Sequence, residues 1–197
     1  MSGTQLPIIR VGVIGSASDQ GYNDENSVVA QEIGVAIAKR GWVLMYGPER
    51  QMSSLPYLAA KACTEAGGTT IGVAHGSARA PIYDPSAASV LIYTDTGGGG
   101  GREIVLVNSC DFVIAIGGGS GTLTEMGIAY MNYIPIVAMK HSGGWADKVA
   151  GEYLDAREKY RVAEAKSPED ALRIGLELYD QFKDQPSQTS APIFGKR

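Results

Sequence analysis

The sequence predicts a doubly wound, mostly parallel α/β sheet with helices on both faces. Three observations predict it. Strand-length apolar runs alternate with helix-period segments along the chain, the sequence form of repeated β–α units. The run Phe112–Ile116 (FVIAI) is apolar at every position rather than at every second one, as suits a strand covered on both faces. Glycine loops follow the apolar runs ending at Ile14 and Ile116, and sheets of this kind bind ligands at the carboxyl ends of their strands.

The first strand is the β-branched run Ile8–Ile14, followed by Gly15-Ser16-Ala17-Ser18 and a polar loop to about Asn26. Val29, Ile33 and Ile37 then share one face of a helix, with Asn26 or Ser27 as its cap and Gly41 just past its end. Trp42–Tyr46 is the second strand, and Gly47-Pro48-Glu49-Arg50 a loop. A helix from Leu55 to Ala66, capped by Ser53 or Ser54, ends at Gly67-Gly68. Thr69–Val73 and Val90–Thr94 are strands, separated by a loop with Pro81 and Pro85. Five glycines, Gly97–Gly101, precede Arg102 and a short apolar helix, REIVLVNS. After Phe112–Ile116 come a glycine loop, a helix from near Thr122, a strand at Ile134–Met139, and a helix over Trp145–Leu154. Ser167-Pro168-Glu169-Asp170 combines a cap, a proline at the first position and first-turn acids, so it opens the last helix. Residues 1–183 read as one domain and 184–197 as a mobile tail.

The chemistry concentrates between Phe112 and Met131. A buried strand runs into Gly117-Gly118-Gly119-Ser120-Gly121-Thr122, and a helix begins there with free N–H groups and a positive dipole end. This arrangement attracts phosphate. No lysine follows the glycines, so the Walker pattern is absent, and the dinucleotide fingerprint fits poorly. Glu125 stands three residues after Thr122 and has two readings: half of a capping box, or a ligand contact. If the first strand and the Phe112 strand are neighbours, then Gly15-Ser16, the Gly117–Thr122 loop and the Gly101-Arg102 junction surround one crevice. Arg102 is either a surface residue at a helix start or a mobile anion contact following its glycines.

Composition narrows the partners. A net charge of −4 and a pI near 5.2 speak against nucleic acid or an anionic membrane surface. No apolar run approaches the roughly 20 residues that span a bilayer. The N-terminus lacks the pattern of a signal peptide, so a cytoplasmic protein is expected. Cys63 and Cys110 sit in apolar surroundings outside any CxxC pair, which predicts buried free thiols. His75 and His141 are isolated in sequence, so no metal site is expected.

The stretch Gly117-Gly118-Gly119-Ser120-Gly121-Thr122-Leu123-Thr124-Glu125 resembles the signature of the LONELY GUY and possible-lysine-decarboxylase superfamily, Pro-Gly-Gly-x-Gly-Thr-x-x-Glu. Arg102 and Asp111 match that family's arginine and strand-opening acid in spacing. The resemblance extends to VGVIGS, EAGGTTIGV and SGGWADKV, and is nearest to a sub-branch that includes molybdenum cofactor carrier proteins. It implies a Rossmann-like fold, a homodimer or higher homo-oligomer, and a small phosphorylated ligand, with no required cofactor. Two functions follow from it. One is hydrolysis of the N-glycosidic bond of a nucleoside 5′-monophosphate, with Arg102 and Glu125 as the catalytic pair. The other is non-catalytic carriage or sensing of a phosphorylated pterin such as molybdenum cofactor. In both, Gly15, Ser16, Gly47, Gly118, Gly119, Ser120, Gly121 and Thr122 form the phosphate- or nucleotide-binding set. The chain departs from the hydrolase pattern at Gly117, where the motif has proline, and at Glu103, where lysine is usual. Pyridoxal-phosphate decarboxylation is not expected, because no lysine lies in or beside the glycine loops.

Overall fold

A computed structural model describes residues 8–17, 19, 21–50, 53–78, 83–96 and 101–185. The expected alternation becomes β1 (Arg10–Gly15), α1 (Asp24–Lys39), β2 (Val43–Tyr46), α2 (Leu55–Glu65), β3 (Thr69–Ala74), β4 (Val90–Tyr93), α3 (Gly101–Asn108), β5 (Phe112–Ile116), α4 (Ser120–Met131), β6 (Ile136–Met139), α5 (Gly144–Val149), β7 (Ala163–Ala165) and α6 (Pro168–Phe182). All seven strands of this sheet pair in parallel, in the order β4-β3-β2-β1-β5-β6-β7. The fold is therefore Rossmann-like α/β. Strand order reverses between β1 and β5, whose register runs from Val11↔Phe112 to Gly15↔Ile116. Both strands end level, so their loops open into a shared crevice.

The all-apolar β5 has a direct cause. Phe112, Ile114 and Ile116 pack under α1, α2 and α6, while Val113 and Ala115 pack under α3, α4 and α5. Every position is buried, so a polar residue on either face would need a partner there. The far end of the β1–β5 pair is clamped by Asp111, which accepts from the Arg10 amide at 2.7 Å and from its guanidinium at 2.7 and 3.1 Å. Asp111 thus has a structural task beneath the sheet. Cys63 and Cys110 are buried and free, as expected, and burial pushes the Cys63 thiol up to about 11.

Several local expectations change. α1 begins at Asp24, capped by Asn23, whose side chain accepts from the Asn26 amide at 2.9 Å; neither Asn26 nor Ser27 is the cap. The first turn, Asp24-Glu25, is acidic rather than apolar, so hydrophobic periodicity cannot reveal it. Ser54, of the two serines considered, caps α2, and Ser167 caps α6 with Pro168 in its first turn. The expected helix to Leu154 stops at Val149. β7 is three residues long and was not anticipated, since AEA carries no strand signal; its pairing with β6 creates it. Of the expected tail, residues 186–197 lie outside the described residues, as do Gly97–Gly100 of the glycine run.

Candidate functional site

The carboxyl ends of β1, β2 and β5 open into a cavity of about 100 Å³. Gly15, Gly47, Arg102, Gly119, Ser120, Gly121, Thr122 and Glu125 line it, together with Ala17, Glu49, Pro56 and Glu103. Eight sequence-predicted residues, drawn from four separate stretches of chain, therefore meet in one place. Ser16 and Gly118 do not line this cavity; they lie behind the glycine loop, in a neighbouring one.

Local geometry explains that split. Gly117 and Gly118 both have positive φ, 63° and 97°, which turns the chain sharply out of β5. Their amides are already used: Gly117 N–H donates to Ser142 Oγ at 2.9 Å and Gly118 N–H to Ser16 Oγ at 2.8 Å. A Cβ at Gly118 would stand 2.4 Å from Thr122 Oγ1, so the loop admits no side chain there. The donors left for a ligand are the amides that open α4. The helix starts at Ser120 with Gly119 as its cap and no side-chain cap bond. The N–H groups of Ser120, Gly121 and Thr122 have no acceptor one turn earlier. Thr122 instead donates its hydroxyl to the Gly15 carbonyl at 3.1 Å, tying α4 to the end of β1. The capping box is thereby overturned. With Ser120 as first residue, Glu125 sits in the second turn, out of reach of the cap.

Glu125 is 8% exposed and faces the cavity. Burial pushes its carboxyl up to about 8, against a smaller downward pull from Arg102 and upward pushes from Glu103 and Glu49. Burial likewise raises Glu49. At neutral pH this burial favours the protonated, uncharged acid at Glu125 over the carboxylate.

Arg102 is buried and held, so it is neither the surface residue of one sequence reading nor the mobile side chain of the other. It is 9% exposed, and Nη1 donates to the Pro48 carbonyl at 2.5 Å. Its guanidinium packs against Gly47, where a Cβ would come within 2.8 Å of Cζ. Gly47 thus serves by lacking a side chain, which lets the cation reach the cavity. Glu103 Oε1 lies 3.5 Å from Arg102 Nε and 3.7 Å from His75 Nε2. Arg102 Nε, Glu103 Oε2 and His75 Nδ1 are buried without hydrogen-bond partners among the described residues. Burial, followed by Arg102, lowers the His75 pKa, which favours the neutral imidazole. His75, isolated in sequence, joins this cluster because β3 ends beside α3. Among the described residues that line the cavity, Arg102 is the one cation and stands with three carboxyl groups, Glu49, Glu103 and Glu125. An anion is attracted on the α4 side, where the amides and the helix dipole point, and away from Glu49 and Glu103.

The pattern of the SLOG cluster4 family matches residues 8–172. The chain belongs to the SLOG cluster4 family. This agrees with the expected resemblance to the LONELY GUY-like superfamily and its carrier branch. A protein of Archaeoglobus fulgidus is 27% identical over 135 residues, 68% of this chain and 82% of that one. Among solved structures, the molybdenum cofactor carrier protein from Chlamydomonas reinhardtii superposes with a TM-score of 0.73 at 27% identity, covering 88% of this SLOG chain and 99% of the carrier. The molybdenum cofactor binding protein from Rippkaea orientalis gives 0.71 at 26% identity, with the same coverage of 88% and 99%. DNA processing protein A from Helicobacter pylori, whose structure concerns single-stranded DNA binding, is 14% identical with a TM-score of 0.64, over 86% of this chain and 80% of that one. That likeness is one of fold alone. No helix among the described residues is long and apolar enough to cross a membrane.

Proposed function

We propose that this SLOG protein binds and carries a small phosphorylated heterocycle of the molybdenum-cofactor kind, with the phosphate seated on the first turn of α4. The observation that carries the reading is the convergence of the unspent Ser120, Gly121 and Thr122 amides with Arg102 on one cavity. A volume of about 100 Å³ is that of roughly three waters at about 30 Å³ each, which suits a group of phosphate size. The remainder of the ligand then projects outward, which suits a cargo that must be handed on. Glu103, where the resembling hydrolases have lysine, and the carrier proteins among the structural relatives support carriage over turnover.

A second reading, N-glycosidic hydrolysis of a nucleoside 5′-monophosphate, is favoured by Arg102 and Glu125 lining the same cavity. It needs Glu125 as a carboxylate that stabilises positive charge on the ribose, and burial opposes that form below about pH 8. The two readings separate in one experiment. Melting temperatures and native mass spectra are recorded with inorganic phosphate, AMP and a phosphorylated pterin, and AMP incubations are assayed for free base. Carriage predicts stabilisation by the pterin and no free base. Base release that disappears in Glu125→Ala establishes the hydrolase, and no response to any phosphate compound overturns both.

Association with a second copy belongs to the same proposal. α3 exposes Ile104 and Val105, and α4, packed beside it, exposes Met131. Apolar side chains on two adjacent helices call for cover. Light scattering on the eluting protein gives the mass that tests it.

A further inference from the structure

We infer that the cavity behind the glycine loop is a second binding site, for an uncharged planar nitrogen heterocycle of purine or pterin size that presents an N–H beside a hydrogen-bond acceptor. The cavity is about 320 Å³ and lies between the start of α1, the loop after β6, and the Ser16–Gly118 contact. That volume falls within the range of small-molecule pockets, roughly 300–1,000 Å³.

Two nearly buried side chains supply the recognition. Asn26 is 6% exposed, and its Nδ2 donates to the Ser142 carbonyl at 2.9 Å, which fixes the plane of the amide. Asn26 Oδ1 accepts no hydrogen bond from any described residue, and Asn26 lines the cavity. Ser16 is 5% exposed; its Oγ accepts the Gly118 N–H at 2.8 Å, and its own proton has no acceptor among the described residues. One unspent acceptor and one unspent donor therefore belong to the same cavity. A nucleobase-like edge, with an N–H next to a ring nitrogen or carbonyl, answers both.

Shape and charge narrow the class. Tyr22 lines the cavity together with Gly143 and Gly144, so an aromatic side chain and side-chain-free backbone are available to a flat ligand. Among the described residues no lysine or arginine lines the cavity, and His141 is the basic side chain on its wall. The nearby α1 terminus carries Asp24 and Glu25 in its first turn, which offset the helix dipole. An anion is thus directed to the α4 cavity and a neutral ring to this one. The inference does not depend on what the α4 cavity holds.

The test is heteronuclear NMR on the full chain, titrated separately with adenosine, guanosine, unsubstituted pterin and inorganic phosphate. The expected result is saturable shifts of the Asn26 side-chain amide and the Tyr22 and Gly143 backbone amides with at least one of the heterocycles, at a Kd below ~1 mM. The arms show whether purine or pterin is preferred. N6,N6-dimethyladenosine, which lacks the N–H, binds at least about tenfold more weakly than adenosine if adenosine binds. Asn26→Ala, checked for folding by its spectrum, lowers affinity by a similar factor. Phosphate shifts the Ser120–Thr122 amides instead, so failure at one cavity is read separately from failure at the other. No saturable shift at Tyr22, Asn26 and Gly143 with any heterocycle overturns the inference. Equal binding of the dimethylated compound and adenosine overturns it as well.

Discussion

Replacing Glu125 with Gln stabilises this protein at neutral pH and leaves it unchanged in acid. The wild-type carboxyl is pushed up to about 8 by burial, whereas in the unfolded chain it titrates near its ordinary 4.5. Between those two values the unfolded chain has released a proton that the folded chain retains. Stability therefore falls as pH rises through this window, the reverse of a carboxylate paired in the native state. At pH 7 the window has been crossed for about 2.5 units, each worth roughly 1.4 kcal/mol, so the penalty is about 3.5 kcal/mol. Glutamine matches the neutral acid in shape and does not ionise. For a chain of this length Glu125→Gln should raise Tm by about 7–14 °C at pH 7, with the gain shrinking toward zero near pH 4.5. Urea denaturation of both proteins across pH 4.5 to 8 is the assay. A glutamine variant that is less stable throughout, or whose gain is independent of pH, refutes the assignment of Glu125 as a buried neutral acid. A residue retained at such a cost to stability is typical of a functional site.

Two further outcomes test how the cavity and its scaffold are built. Gly47→Ala pushes a methyl group to within 2.8 Å of the Arg102 guanidinium carbon; it should cost ~1–3 kcal/mol in urea denaturation and weaken the melting shift given by phosphate compounds. Asn23→Ala removes the α1 cap and should cost ~1 kcal/mol, while Ser27→Ala should stay within about 0.5 kcal/mol; equal losses would place the helix start elsewhere.

Much of the fold was legible in the chain. β5 declared itself because both of its faces are buried, and apolar continuity is the direct consequence. The α6 start was legible because Ser167, Pro168 and two acids each satisfy a separate requirement of a helix terminus. β7 was hidden, since Ala163–Ala165 is a strand only through its pairing with β6. The α1 cap was hidden by an acidic first turn, and the α4 start by a Gly-Ser-Gly-Thr run in which a serine and a threonine both suit a cap.

The site divides along the same line. By itself, the sequence determined which residue types were available: a glycine loop at a strand end, a threonine, a glutamate, an arginine and a second glycine loop after β1. These are local features, and backbone propensity and spacing report them. Only the tertiary structure decided which would share a cavity and in what state. It brought Gly47 under Arg102 and His75 beside Glu103, and it spent the amides of Gly117 and Gly118 on two serines. It also made Glu125 a neutral acid, because desolvation depends on everything packed around a carboxyl and not on its neighbours in sequence.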